Sequence, residues 1–338
     1  MDKKTIEALV LQGGGPLGAF EYGVCKALYE KKGFDPEVIC GVSIGAFQAA
    51  IIVGSKNDNP IDALGEFWEL CTTFENPYLS REMNIKFNKY DNPGMFSLNH
   101  KMFINPDNVV NQVDMTRLYS TLEKLIDFDK LNNSNQHLVV TATNIENGEI
   151  ESFDNKGKIP ITIDHIVASG SIPPFAAPVE ISGSHYWDGA LFSNTPLLPA
   201  YKKLESFPGS DDEIIRELII IELFPKDGTL PKNMAEVKNR MLQLQFEPKS
   251  DDQLDDIKDN NDNIDMMNEI DKVLPLDSKI RQMKSFKDKI NQRKIHKFTI
   301  IQHTEPEKVG AFVDYTKTTI NQRIEEGYRD GLQHLDEI

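Results

Sequence analysis

A three-layer α/β/α fold with a mainly parallel central sheet is predicted by three features of the sequence. The chain has 338 residues, 39% of them hydrophobic, which is enough for a large core. Short apolar segments, two of them followed at once by glycine, have the length of buried strands. Longer segments between them have the composition of helices. This alternation is typical of a parallel sheet with helices packed on both faces.

The first four elements follow each other closely. "ALVLQ" and "EVIC" are apolar and short, as expected of strands, whereas "GAFEYGVCKALYEKK" and "GAFQAAIIVG" are long enough for helices. The region 58–120 is rich in Asn, Pro and aromatic residues and is predicted to be an irregular excursion with short helices. Such excursions often form one wall of a pocket.

The later elements repeat the pattern. "HLVVTATN" and "ESFDN" are separated by Asn147-Gly148, a hairpin signal, and "ITIDHIVASGS" is predicted to be helical. "ELIIIELFP" and "HKFTIIQHTEP" are the last two predicted strands. We therefore expect a main core over 7–225, a polar excursion over 226–295, and a closing strand and helix over 296–338.

The excursion 226–295 contains the acidic stretch "SDDQLDDIKDNNDNIDMMNEIDK". Charge runs of this kind commonly form a solvated helical face or a loop. The alternative interpretation is a lid or a segment that binds a partner.

Composition excludes several classes of function. A net charge of −16 argues against a nucleic-acid partner and against simple electrostatic binding to anionic lipid. The three cysteines (Cys25, Cys40, Cys71) are an odd number, which fits reduced thiols in a cytoplasmic protein, and no Cys/His cluster suggests a metal or another cofactor. The first apolar run is too short for a signal peptide, and no run of about eighteen apolar residues predicts a transmembrane helix. Any membrane contact is therefore expected to be peripheral.

The pentapeptide "GVSIG" places Ser43 between a predicted strand and a predicted helix. A nucleophile elbow has this context, because the serine sits in a strained turn and Gly41 and Gly45 stand where side chains would clash. The N-terminus of the following helix would favour negative charge beside Ser43. The alternative is a common strand-to-helix turn in which the serine caps the helix.

The first predicted strand leads into "GGGPLG", which spans Gly13 to Gly18 and matches G-x-G-x-x-G. One interpretation is a dinucleotide-binding turn, with Asp35 at the offset of a ribose-binding acid. The other is an anion-binding nest of N–H groups, which an acyl-transfer enzyme needs for its oxyanion. The elbow favours the nest, because a dinucleotide site has no need of a strained serine.

The stretch "YWDGALFSNTP" supplies a candidate base, Asp188. Because Asp-Gly commonly marks a turn, the alternative is an aspartate bonded to its own backbone. A nucleophilic serine requires a base, so the combination with the elbow favours the catalytic interpretation.

These motifs together resemble the patatin-like phospholipase family of serine lipid acyl hydrolases. The residues that carry the resemblance are "LVLQGGGPLGAFEYGV", "GVSIGA", "VASGSIPPFAAPV" and "YWDGALFSNTP", and the tail "FVDYTKTTINQRIEEGYRDGL" is also similar to bacterial members. The resemblance implies a patatin-like fold and no cofactor or dinucleotide. It implies a substrate that is a phospholipid or another acyl-ester lipid.

The resemblance also implies roles for individual residues. Ser43 is expected to be the nucleophile and Asp188, in the Asp188-Gly189-Ala190 motif, the base. The backbone amides of Gly13, Gly14, Gly15 and Gly18 are expected to form the oxyanion hole. The chain has Leu17 where many members have Arg or Lys, so backbone amides would stabilise the oxyanion unaided.

Two other functions are compatible with the sequence. A Ser-His-Asp esterase would use His303, which follows the last predicted strand, whereas His185 is expected to share a hairpin with Asp188 and to face away. A weakly active or inactive scaffold would bind lipid or a protein, for example through 226–295. The aromatic segment "FWELCTTFENPYL" is a candidate lining for an acyl channel, although such spacing is also typical of a core.

Overall fold

The computed structural model describes residues 3–247, 250–304 and 310–335. Within these ranges the chain forms ten strands: β1 (Lys4–Leu11), β2 (Val38–Gly41), β3 (Ser97–Leu98), β4 (Val113–Asp114), β5 (His137–Asn144), β6 (Ile150–Asp154), β7 (Val179–Ile181), β8 (Ser184–Asp188), β9 (Ile214–Glu222) and β10 (Lys297–Gln302).

The same ranges contain fourteen α-helices: α1 (Gly18–Lys32), α2 (Ile44–Gly54), α3 (Pro60–Cys71), α4 (Arg81–Asn88), α5 (Lys101–Ile104), α6 (Thr116–Leu125), α7 (Phe128–Asn133), α8 (Ile163–Ser169), α9 (Leu197–Ser206), α10 (Met234–Phe246), α11 (Ser250–Val273), α12 (Lys279–Gln282), α13 (Lys284–Ile290) and α14 (Lys317–Leu335). None of these helices combines the length and the apolar composition needed to cross a bilayer.

The central sheet has the order β10-β9-β1-β2-β5-β8-β7, with β6 also paired to β5. The five strands from β10 to β5 are parallel, whereas β6, β7 and β8 join by antiparallel pairing. The parallel strands end at one edge of the sheet, where active sites of open α/β sheets commonly lie. The antiparallel hairpin β7–β8 brings Asp188 to the same part of the sheet, since Asp188 pairs with Ala142 of β5.

Alternate residues of β1 face two separate hydrophobic layers. Leu9 and Leu11 pack in a cluster with α1, α2, α3 and α6. Ala8 and Val10 pack in a second cluster with α9 and α11. Helices therefore cover both faces of the sheet, and the predicted three-layer α/β/α fold with a mainly parallel sheet is confirmed.

The excursion between β9 and β10 is largely helical. Helix α11 carries most of the acidic run, yet Leu254, Ile257 and Ile264 on it are buried. Its amide side chains also bind the body of the protein: Asn260 donates to the hydroxyl of Tyr201 at 2.7 Å, and Asn261 donates to the backbone oxygen of Ile295 at 2.7 Å. One side of this acidic helix is therefore attached to α9 and to the segment before β10, and the other is solvated.

The tail of the chain packs on its first helix at very close range. A Cβ atom at Gly23 of α1 would lie 2.1 Å from the carbonyl oxygen of Ile324 in α14. A Cβ atom at Gly327 would lie 2.0 Å from the carbonyl oxygen of Phe20. The backbones of α1 and α14 thus touch, and α1 begins at Gly18, the last residue of the glycine motif.

Candidate active site

Ser43 lies in a strained turn between β2 and α2. Its φ of 55° and ψ of −126° are values that a residue with a side chain adopts at a cost of about 1–3 kcal/mol. The backbone N–H of Ser43 donates to the carbonyl oxygen of Ser169 at 3.1 Å, which holds the turn. The side chain makes no capping hydrogen bond to α2, so the simple helix-cap interpretation does not describe this serine.

The glycines on either side of Ser43 allow backbone segments to touch. A Cβ at Gly41 would lie 2.3 Å from the carbonyl oxygen of Gly45. A Cβ at Gly45 would lie 2.5 Å from the carbonyl oxygen of Leu11. Both positions therefore require glycine, and the second contact brings the start of α2 against the end of β1.

Asp188 is buried at the end of β8, with only 1% of its surface exposed. Its Oδ1 accepts the N–H of Ala190 at 2.8 Å, the bond expected of a turn aspartate. Burial raises the pKa of the Asp188 carboxyl to about 7, although the Ala190 N–H and the nearby Ser43 hydroxyl both act to lower it. The turn therefore fixes a carboxylate that can take a proton near neutral pH.

Gly189 packs beneath this turn. A Cβ at Gly189 would lie 2.7 Å from the carbonyl oxygen of Thr141 and 2.9 Å from the Val42 side chain. Val42 directly precedes Ser43 in the elbow. The absence of a side chain at Gly189 thus lets the Asp188 turn approach the Ser43 turn.

The glycine motif does not present all four of its amides. In the described part of the chain, the N–H groups of Gly14 and Gly15 have no hydrogen-bond acceptor. The Gly13 N–H donates to the carbonyl oxygen of Asn194 at 3.2 Å. The Gly18 N–H donates to the carbonyl oxygens of Gly15 and Pro16, and a Cβ at Gly18 would meet Ile44 at 2.8 Å. Gly18 therefore serves helix packing, which differs from the expectation that its amide is open to an anion.

Leu17, the residue that departs from the family pattern, has its side chain in the core. Leu17 is 1% exposed and belongs to the same hydrophobic cluster as Phe20 and Ile44. Gly15 has a φ of 55°, a left-handed value that turns the chain sharply before α1.

A network of buried polar groups holds Gln12, the residue directly before the glycine motif. The Gln12 N–H donates to Glu21 at 2.5 Å, the Gln12 amide nitrogen donates to Thr195 at 2.9 Å, and Gln12 Oε1 accepts the Leu223 N–H at 2.6 Å. Burial raises the pKa of Glu21 well above its usual value, against the effect of its bonds to Gln12 and Gln48. The end of β1 is thereby tied to the residue that follows β9.

Asn194 was not singled out from the sequence, but the structure places it at the centre of the site. Its amide nitrogen donates to the carbonyl oxygens of Gly13 and Phe246, each at 2.9 Å. The only signal in the sequence is its position in "SNTP", six residues after Asp188. Asn194 thus connects the glycine motif to the end of α10.

A cavity of about 260 Å³ lies beside Ser43 and Asp188. Gly13, Gly14, Gly15 and Asn194 also line it, and the remaining walls are largely apolar. Its aromatic residues come from several elements: Phe47, Phe96, Phe175, Phe224, Phe246, Phe312 and Tyr315. The hydroxyl and the carboxylate therefore meet at the wall of a hydrophobic cavity.

The segment "FWELCTTFENPYL" does not line this cavity, so the interpretation of it as a channel lining was wrong. Phe67 and Trp68 are buried in the core, while Phe74 and Tyr78 are exposed to 76% and 94%. Phe67 and Trp68 lie on the side of α3 that faces α2, whereas Phe74 and Tyr78 follow the end of α3.

No histidine is among the described residues that line the cavity. His303 is buried against Phe20, with ring centroids 4.9 Å apart, and its Nε2 lies 3.4 Å from Glu326 of α14. His185 lies on β8 and pairs with Glu146 at 2.8 Å. Among the residues that the structure describes, no three His, Cys, Asp or Glu side chains form a group that could hold a metal ion.

A family model, patatin-like phospholipase, matches residues 9–201, more than half of the chain. That range includes every residue of the elbow, the glycine motif and the Asp188 turn. No curated protein matches the chain.

Solved structures give weaker similarities. VipD from Legionella pneumophila matches with a TM-score of 0.42 and 15% identity over 100% of this chain and 67% of VipD. ExoU in its complex with SpcU, from the type III secretion system of Pseudomonas aeruginosa, matches with a TM-score of 0.34 and 14% identity over 98% of this chain. The chain spans only 53% of that ExoU chain and 54% of the type III effector ExoU solved alone, which has a TM-score of 0.37 and 12% identity.

Proposed function

The chain belongs to the patatin-like phospholipase family, and from this membership we propose that it is a lipid acyl hydrolase of phospholipase A type. Ser43 is the nucleophile and Asp188 the base. The observation that carries the proposal is the pairing of a strained serine, whose side chain makes no capping bond to α2, with a buried carboxylate at the wall of an apolar cavity. The substrate is a phospholipid or another acyl-ester lipid.

In the acylation step, Asp188 takes the proton of the Ser43 hydroxyl as Oγ attacks the ester carbonyl carbon. The carbonyl oxygen becomes an oxyanion, and the unoccupied N–H groups of Gly14 and Gly15 are the donors that we assign to it. Collapse of this intermediate breaks the ester bond, and the proton passes from Asp188 to the leaving alcohol. The acyl group remains on Ser43.

In the deacylation step, Asp188 takes a proton from water while the water oxygen attacks the acyl-enzyme carbonyl. The fatty acid leaves, and the proton returns to Ser43. A carboxylate is a weak base in water, so this mechanism needs the burial that raises the Asp188 pKa toward neutrality. The apolar cavity supplies that burial and receives the acyl chain.

Fluorophosphonate labelling tests the proposal, because the reagent forms a covalent bond with an activated serine. We expect wild type to be labelled and Ser43→Ala to be unlabelled. The matched control is His303→Gln, which should label like wild type and release fatty acid from a phospholipid at a similar rate. Mass spectrometry locates the label, and circular dichroism checks that each variant is folded.

Two results would redirect the assignment. If folded His303→Gln loses both labelling and turnover, the protein is a Ser-His-Asp esterase. If wild type neither labels nor releases acid from a phospholipid or a p-nitrophenyl ester, the scaffold function replaces the enzymatic one.

The pH profile should report the Asp188 carboxyl. Asp188 acts as a base only when it is deprotonated, so kcat/KM for a soluble p-nitrophenyl ester should be constant well above pH 7 and fall below about pH 7. The decrease should approach about tenfold per pH unit. Enzyme held at pH 5 and assayed at pH 8 should recover fully, which separates titration from unfolding. A profile that stays flat down to pH 5 would contradict the raised pKa.

A further inference from the structure

Helix α10 exposes a stripe of apolar side chains. Met234, Val237, Met241 and Leu244 are spaced by three or four residues and therefore lie along one side of the helix. They are exposed to 69%, 43%, 58% and 54%. These four residues are the α10 stripe, and Leu230, 87% exposed, lies just before the helix.

The buried side of the same helix is partly polar. Asn239 and Gln243 are buried, at 9% and 6% exposure. A helix on the surface of a globular protein normally turns its apolar side inward and its polar side to water. α10 reverses part of that pattern, and exposed apolar surface grouped in this way is common at interaction sites.

The position of α10 relates the stripe to the active site. Leu242 and Phe246, on the same helix, line the cavity beside Ser43. The carbonyl oxygen of Phe246 also accepts a hydrogen bond from Asn194, whose amide nitrogen binds Gly13 as well. The stripe is thus on the outside of a helix that forms part of the cavity wall.

Charge around the stripe points to an anionic partner. The chain as a whole carries −16, but residues 226–246 contain four basic and two acidic residues. Lys238 lies on α10 next to the stripe and Lys232 just before the helix, whereas the Arg240 guanidinium donates to the carbonyl oxygen of Lys226 at 2.8 Å. Basic residues beside an apolar helical face are the composition of helices that lie in a membrane interface. This local excess is hidden in the net charge, which by itself argued against anionic lipid.

We propose that the α10 stripe binds the surface of a phospholipid bilayer that contains anionic lipid. Met234, Val237, Met241 and Leu244 enter the interface, and the neighbouring Lys side chains contact the anionic headgroups. This inference rests on the proposed function in one respect, because the cavity behind α10 would then open toward the lipid that the protein hydrolyses. The binding itself requires no catalysis.

Vesicle flotation with the full chain carrying Ser43→Ala tests binding independently of hydrolysis. Vesicles of phosphatidylcholine with phosphatidylglycerol should bind the protein, and vesicles of phosphatidylcholine alone should bind it more weakly. Adding Met241→Ser and Leu244→Ser should weaken binding by about 10- to 100-fold, because two apolar side chains no longer enter the interface. The matched control is Val273→Ser with Leu276→Ser, two residues exposed to 80% and 92% elsewhere, which should bind unchanged.

Activity measurements with Ser43 intact separate this inference from the proposed function. The Met241→Ser, Leu244→Ser variant should hydrolyse a soluble p-nitrophenyl ester at the wild-type rate and vesicle phospholipid at least about tenfold more slowly. In the flotation experiment, equal vesicle binding with and without Met241→Ser and Leu244→Ser would overturn the inference. Absence of vesicle binding by the protein without these two changes would overturn it as well. A wild-type dimer that the variant dissociates, seen by sedimentation, would assign the stripe to a second copy of the chain instead.

Discussion

Asp188→Asn is expected to lower kcat by about 10,000-fold and, at pH 8, to make the protein more stable than wild type. In the proposed mechanism the rate falls because an amide cannot take the Ser43 proton, and loss of one member of a catalytic group typically lowers the rate by a factor of this size. Asparagine can still accept the Ala190 N–H with its Oδ1, so the turn should be retained. The rate is measured with a soluble p-nitrophenyl ester.

The gain in stability follows from the raised pKa. The carboxyl has a pKa of about 7 in the folded protein and an ordinary value of 3.8, so the folded state holds this proton more tightly than the unfolded state. Ionisation therefore costs folding free energy, from nothing below about pH 4 to on the order of 4 kcal/mol above pH 7. Asparagine avoids that cost. The free energy of unfolding, measured by urea titration at pH 5 and pH 8, should show a larger difference at pH 8.

A matched control is Asp314→Asn, the same substitution at another buried carboxylate. Asp314 is 0% exposed, lies 2.8 Å from the Arg81 guanidinium and accepts bonds from Thr316 and Thr319. The substitution removes the negative charge that faces the Arg81 guanidinium, so this variant should be less stable than wild type. If Asp188→Asn is also destabilising at pH 8, burial of the ionised Asp188 carboxylate does not lower the stability of the folded protein.

Gly327→Ala should destabilise the protein by roughly 3 kcal/mol or more, because the added methyl group would overlap backbone atoms that cannot move aside. The new Cβ would lie 2.0 Å from the carbonyl oxygen of Phe20. In an exposed helix the same change usually stabilises by about 1 kcal/mol. Thermal and urea unfolding would give the difference, with ester hydrolysis at low temperature as a second measurement.

Asn321→Ala, at an exposed position of α14, is the control for Gly327→Ala. It should change stability by no more than about 0.5 kcal/mol. If Gly327→Ala is as stable as wild type, α14 does not cross α1 at backbone contact.

The local sequence predicted the two turns of the candidate site, because each turn depends on neighbouring residues. The elbow around Ser43 and the glycine turn each need a particular backbone conformation, and Gly41, Gly45 and Gly15 record that need in the sequence. The parallel strands were also predictable, because strands buried on both faces are continuous apolar runs.

Contacts between distant segments could not be predicted in this way. The bond from Asn194 to Gly13 joins residues 181 positions apart, and nothing near either one indicates the other. The cavity takes its walls from α10 and from residues 312–315 as well as from the core. The expectation for Gly18 failed for a similar reason, since its amide is used by the turn that also gives the motif its shape.

The order of strands in the sheet determines when, during synthesis of the chain, each strand can find its neighbours. β1 is the third strand of the sheet, between β2, which the ribosome makes soon after it, and β9, which is complete only at Glu222. Gln12 reaches its Leu223 partner, and Gly13 its Asn194 partner, only after these late residues have emerged. Pairings of such long sequence separation form slowly. A nascent chain therefore carries Ser43 well before Gly13 and Gln12 can reach these partners, and the proposed oxyanion loop takes its final form only after residue 223 has been made.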